Sequence, residues 1–184
     1  MKEQSQSPKL KFLRPDLFKV GAIAGAIAAF ILIGYAMVLH GLNLNSFGRW
    51  KNINFPLYGL FFAGAMTYFR LKLNDGKMKG PQGILIGVTL NSVATTLYGF
   101  LLYVLLSTKG IGQAIIERHK ADLKIILIEG KSVIIESLGE AGYEENVKGV
   151  EELSAGVLAV DQAIGLLFLG FFLTFLFMLI IKKK

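Results

Sequence analysis

"QAIGLLFLGFFLTFLFMLII", residues 162–181, runs without a charged side chain from Asp161 to the terminal Lys182, Lys183 and Lys184. At ~1.5 Å per helical residue such a run covers about 30 Å, the hydrocarbon thickness of a bilayer. The stretch therefore predicts a membrane-spanning helix, and the reading of the whole chain depends on how many more there are.

Composition favours several. Of 184 residues 53% are hydrophobic and only 18% are charged, and the charges are clustered. That is too apolar for an ordinary soluble domain. Between Lys19 and Arg49 lies "VGAIAGAIAAFILIGYAMVL". It lacks the short apolar region and small-residue cleavage site of a signal peptide, so a retained anchor is expected. Between Lys51 and Arg70, Asn54 and Pro56 suit a helix start, since proline in the first turn loses only a bond already missing. "FPLYGLFFAGAMTYF" is short for a span and needs its flanking Trp, Tyr and Arg at the interfaces; a re-entrant or interfacial segment is the alternative. The uncharged run from Gly80 to Thr108 supplies another span, starting near Gln82.

The reading is an all-α integral membrane protein, a single membrane domain over 1–184. Its four transmembrane helices lie at about 18–40, 54–70, 82–107 and 160–181. A cytoplasmic tail over 1–17 precedes them, and an amphipathic helical outer segment, 108–158, separates spans three and four. Charge sets the orientation. The N-terminal tail, the loop with Arg70, Lys72, Lys77 and Lys79, and the C-terminus hold twelve Lys/Arg against three acids. The 107–161 segment holds six bases and ten acids, joined on that side by Arg49 and Lys51. The positive-inside bias places both termini in the cytoplasm. Around Lys11 and Phe12 a short interfacial helix and a disordered tail are both compatible with the residues.

In the outer segment Leu123, Leu127, Ile134 and Leu138 share one helical face, expected to cover the end of the bundle. A helix or helix pair is favoured over a hairpin built from "KIILI" and "SVII". "SLGEAGYEENVKGVEEL", residues 137–153, reads as a solvated turn between helices, and its Glu144, Glu145, Glu151 and Glu152 as a partner-facing surface.

No cysteine is present, so disulfides and thiolate chemistry are excluded. No ionisable group is expected at bilayer depth, where such groups mark transport or catalysis. Asp161 is expected at the start of the fourth helix, complementing its N-terminus. His40 and His119 lack metal-ligand spacing, and both read as interfacial or solvated. In the third span Asn91, Thr95 and Tyr98 form a polar stripe flanked by Ser92 and Thr96, read as interhelical hydrogen-bonding groups. Gly21 with Gly25, Gly83 with Gly87, and Gly59 with Ala63 stand at the four-residue spacing that lets helices approach closely. No phosphate-binding, dinucleotide, nucleophile-elbow or metalloprotease motif occurs. No metal, cofactor or nucleic acid is expected.

The order of elements resembles a known family. A basic tail, two spans and the loop "RLKLNDGKMKG" lead to "GILIGVTLNSVATTLYGFLLYVLL". A charged segment with "LGEAGYEENV" and a last span ending in lysines come next. This resembles domain-of-unknown-function family forty-one ninety-nine, small four-span membrane proteins without an assigned activity. The resemblance implies a Gram-negative bacterial inner membrane and no functional residues. The function expected is a non-catalytic accessory or scaffold subunit in the lipid bilayer, bound to a larger membrane complex through its outer segment. The alternatives are a small transporter or channel using Asn91, Thr95 and Asp161, and a membrane partner of an enzyme acting on lipid-linked substrates.

Overall fold

The computed structural model describes residues 14–182. The segment around Lys11 and Phe12 lies outside them, as do Lys183 and Lys184. Among the described residues every regular element is helical, including the two β-branched runs that could have paired as a hairpin. Six α-helices occur in order: α1 (Pro15–Gly41), α2 (Asn54–Tyr68), α3 (Gly80–Leu106), α4 (Ile111–Glu129), α5 (Lys131–Glu151) and α6 (Ala155–Ile181). A 3₁₀ turn (Arg49–Ile53) leads into α2, and a π-turn (Phe69–Leu73) comes after it.

Three of these helices are long and apolar enough to cross a membrane: α1, α3 and α6, each 27 residues. Helix α2 has 15 residues and falls short of that length on its own. Helix α6 starts at Ala155, earlier than the charge of Asp161 suggests. Ser154 caps it, its Oγ accepting the Val157 N–H at 3.3 Å and so satisfying one of the open donors of the first turn. Asp161 thus sits in the helix's second turn and not at its start.

The chain divides into two compact units. Unit one holds residues to Ile31, Asn54–Leu97 and Ile164 onward; unit two holds Leu32–Ile53 and Tyr98–Ala163. Helices α1, α3 and α6 contribute residues to both.

In unit one α1 lies on α3 through its two glycines. A Cβ at Gly21 would meet the Ile86 carbonyl oxygen at 2.7 Å; at Gly25 it would meet the Leu90 oxygen at 2.5 Å and the Ala94 nitrogen at 3.1 Å. These backbones touch because nothing stands between them. The neighbouring face of α3 meets α6, where Gly83 faces Met178 and Gly87 faces Thr174 with a Cβ's room of 3.0 Å and 2.6 Å. Gly59 of α2 lies beside Phe177 of α6, and Leu17, Phe62, Met66, Phe69, Ile86 and Leu90 are fully buried. Arg14 ties the start of α1 to the end of the π-turn, donating to Asn74 Oδ1 at 2.7 Å and to the Leu73 carbonyl at 3.1 Å. Arg70 donates to the Ile181 carbonyl at 3.1 Å, a cation at the negative end of α6.

In unit two the segment 108–158 is a helix pair broken at Gly130. Only Gly112, Ile115, Ile116 and His119 of α4 and Val150 of α5 are buried. Leu123, Leu127 and Ile134 are half-buried and Leu138 is 64% exposed, so the four do not form one covering face. The break at Gly130 divides the stripe between two helices, and Gly139 interrupts it again. Gly139 has φ 74° and ψ 174°, a conformation open essentially to glycine alone. The acidic stretch is accordingly not a turn. Past Gly139 it is helical to Glu151, because Ala141, Glu144, Glu145 and Lys148 are good helix formers and no proline intervenes.

The α1–α3 contact makes a prediction with its own control. Gly25→Val should destabilise unit one by roughly 1–3 kcal/mol, the usual cost of overpacking. Gly34→Ala, where a Cβ meets nothing within 4 Å, should be neutral or stabilising. Thermal unfolding in detergent checks both; equal melting temperatures for the two variants would contradict the contact.

Candidate functional site

The polar stripe of α3 has one centre. Asn91 is 1% exposed. Its Oδ1 accepts the Tyr58 hydroxyl of α2 at 3.1 Å and the Thr95 hydroxyl at 3.3 Å. Its Nδ2 donates to the Leu167 carbonyl of α6 at 3.0 Å. The side chain lies directly over Gly170, where a Cβ would collide with it. Three helices are therefore fastened at one amide, whose oxygen is saturated by two donors. Ser92 and Thr96 are exposed, and Tyr98 is buried in unit two, so the stripe does not continue as a polar path. Thr95 contributes to the Asn91 centre, and Gly21, Gly25, Gly83 and Gly87 are the close contacts described above.

A second polar cluster joins residues far apart in the sequence. It lies in unit two, where the loop after α1 meets α4. Asn45 Oδ1 accepts the Phe47 N–H at 2.9 Å, which turns its amide nitrogen toward α4. That nitrogen donates to Asp122 Oδ2 at 2.7 Å and lies 3.2 Å from His119 Nδ1. Facing a donor, Nδ1 must accept, so the ring is neutral with its proton on Nε2. Burial lowers the His119 pKa from 6.5, with Lys51 acting in the same direction; Asp122 and Asp161 oppose it. The ring edge meets Phe47 at 5.6 Å between centroids. His119 is thus a buried packing residue and not a solvated one. Arg118, one residue earlier, donates to Asn43 Oδ1 at 3.1 Å. Ser46 Oγ closes the loop onto α1 by donating to the Ala36 carbonyl at 2.8 Å. Asp161, read as a cap, instead accepts from Gln162 Nε2 at 2.8 Å. No sequence signal foretold this cluster beyond the paired asparagines of "LNLN", since 74 residues separate Asn45 from His119. His40 Nδ1 is buried without a protein partner. Among the described residues no three His, Asp or Glu side chains group as a metal site.

The rest of the α4–α5 pair is open. Ile125, Ile126, Ile128 and Val133, around the break at Gly130, are 53–69% exposed. Between the helices runs a groove of about 660 Å³, with Leu123, Leu138, Ala141 and Val150 on its walls and Glu145 on its rim. Glu151 pairs with Lys124 of α4 at 3.6 Å, and Glu152 with Lys148 at 3.7 Å. Glu144 and Glu145 are exposed and make no ion pair among the described residues. The four glutamates therefore divide into two that hold local pairs and two that are unengaged.

Replacing Asn91 tests the first cluster. Asn91→Leu leaves the Tyr58 hydroxyl buried without its acceptor and should destabilise the protein by about 1 kcal/mol. Adding Tyr58→Phe should recover part of the loss. A higher melting temperature for Asn91→Leu alone would show that the amide fastens nothing.

Neither the curated proteins nor the solved structures include a match to this chain. A family described as protein of unknown function (DUF4199) matches residues 19–183, nearly the whole sequence, and the chain belongs to that family.

Proposed function

We propose that α1, α2, α3 and α6 cross a bacterial inner membrane as four spans with both termini cytoplasmic. On this reading the chain is a non-catalytic accessory subunit that binds a larger membrane complex through α4 and α5. Three spans rest on length and apolarity. The fourth rests on the surroundings of α2: it is packed on α6 at Gly59 and fastened to α3 through Tyr58. Its 3₁₀ and π extensions carry Trp50 and Arg70, residues suited to the two interfaces. Orientation rests on the uneven Lys/Arg count.

The observation that carries the accessory role is the exposed apolar group Ile125, Ile126, Ile128 and Val133 on an otherwise charged helix pair. Large apolar side chains left exposed together on a charged segment point to an interaction surface. Unpaired Glu144 and Glu145 add exposed negative charge to the same helix pair, which suits a partner that brings lysine or arginine beside apolar residues. The polar centre at Asn91 offers less to a solute, because its oxygen is already doubly occupied.

Topology is tested by making Asp75→Cys and Glu144→Cys in this cysteine-free chain. An impermeant maleimide on intact spheroplasts should label position 144 and spare position 75; the reverse pattern overturns the orientation.

The partner reading predicts co-purification at fixed stoichiometry in mild detergent. Ile126→Glu with Ile128→Glu should abolish it. Glu144→Lys with Glu145→Lys should weaken it on the order of ten-fold at low salt and less at high salt. The same reversal at Glu151 and Glu152 should do less, since both are already paired. A chain that purifies alone and passes a specific solute into liposomes would establish transport instead.

A further inference from the structure

A side of unit one carries an open apolar groove of about 350 Å³ along α1 and α2. Val20, Ile23 and Ile27 line it from α1, and Leu60, Gly64 and Tyr68 from α2. It is not closed by any described residue: Ile23 is 63% exposed, Leu60 68% and Tyr68 53%. At Gly64 a Cβ would meet nothing within 4 Å, so the opening there is real space and not a tight contact.

The ends of the groove differ in charge. Beyond Val20 and Tyr68 the same helix faces run into lysine. Lys19 stands four residues before Ile23, one turn back on α1; Lys72 stands four residues after Tyr68, within the π-turn. Both are exposed, and neither makes an ion pair or hydrogen bond among the described residues. Of the other charges nearby, three are already engaged, while Asp75 and Lys77 in the loop beyond make no ion pair among the described residues. Asp16 pairs with Arg14 at 3.2 Å, Arg14 also holds Asn74, and Arg70 holds the Ile181 carbonyl. The net result is two unengaged ammonium groups and a half-exposed phenol at one end of an apolar channel.

We infer that this groove holds an acyl chain of one anionic phospholipid, with its phosphate between Lys19 and Lys72 and the Tyr68 hydroxyl beside its glycerol esters. The apolar walls alone would accept any acyl chain or a helix of another copy. Charge chooses among them. A second copy would bring the same lysines and leave them opposed, and a zwitterionic lipid would return no net charge to the two ammonium groups. A phosphate of net negative charge accepts from both, in hydrogen bonds strengthened by the charge on each side. Basic side chains at a membrane surface favour anionic lipid in the same way. The inference rests on the membrane reading of α1 and α2 and is independent of any partner at α4–α5.

The test uses the full chain in nanodiscs of equal phosphatidylglycerol and phosphatidylcholine with identical acyl chains, with native mass spectrometry of the retained lipid. The wild type should retain one phosphatidylglycerol in preference to phosphatidylcholine on the order of ten-fold. Lys19→Ala with Lys72→Ala should bring the ratio near one with no change in melting temperature, since neither lysine holds the fold. Gly64→Phe should fill the groove and reduce retention of both lipids. A preference that survives removal of both lysines overturns the site. So does a Gly64→Phe variant that keeps its lipid but loses cross-linking between copies, which would make the groove a chain–chain contact. A chain that fails to enter nanodiscs sinks the membrane reading with it, whereas one that enters and shows no headgroup preference sinks the lipid site alone.

Discussion

Asn91 sits where α2, α3 and α6 meet, and its amide answers a constraint that apolar helices cannot escape. Against lipid, a leucine on one helix gains nothing by touching a leucine on the next, because the hydrocarbon it leaves is equally apolar. What remains to choose one packing over others is close contact and the few polar bonds. Unit one uses both. Tyr58, Thr95 and the Leu167 carbonyl converge on Asn91, and Gly170 leaves the amide the room it needs. Gly21 and Gly25 bring α1 against the backbone of α3 on an adjacent face. A register slip of either helix would leave the amide unsatisfied or drive a glycine's neighbour into a side chain. The lateral surface is correspondingly free of such demands, and Ile23, Leu60 and Phe168 are exposed there without structural consequence.

The α4–α5 pair is built on a different logic. Its charged residues are interspersed with apolar ones, and few of the apolar ones are buried. It is tied to the remainder of unit two at its first turns, by Ile115, Ile116 and His119, and near its last, by Val150. Lys120 donates to the Glu151 carbonyl at 3.0 Å, joining the two ends of the pair to each other. The far end, around Gly130, has no such attachment among the described residues. Exposed ion pairs like Lys124–Glu151 contribute little to holding it.

The long apolar helices are legible in the sequence because the signal is local: an uncharged run of sufficient length reads the same wherever it lies in the chain. Their ends are less so. Asp161 reads as a start because it is charged, whereas the helix begins at the Ser154 cap, a side chain whose role depends on three backbone positions and not on charge. Helicity of residues 108–158 is also legible, but the apolar stripe through Leu123 and Leu138 assumes an unbroken helix, and two glycines break it. Asn91 is conspicuous as a carboxamide within a run of apolar residues. Its acceptor role toward Tyr58 is not, since that needs the fold. The Asn45–Asp122–His119 cluster is invisible for the same reason. Loop asparagines and a helix histidine are ordinary residues until tertiary structure makes them neighbours.

The π-turn after α2 is one residue wider than an α-helical turn would be. Phe69 is buried on one side of it, and Arg70 reaches the end of α6 from the other. Such a turn is a phase adjuster between α2 and the basic loop that leads to α3. Upstream of it, α2 keeps the same face toward α3 and α6 whether or not the extra residue is present. Downstream, removal of one residue would tighten the turn and rotate the next positions by about 100° around the helix axis. Asn74, which Arg14 holds, is the first residue past the turn, so its position follows from that surplus residue. The chain thereby settles the azimuth of its basic loop independently of the packing of the helix that carries it.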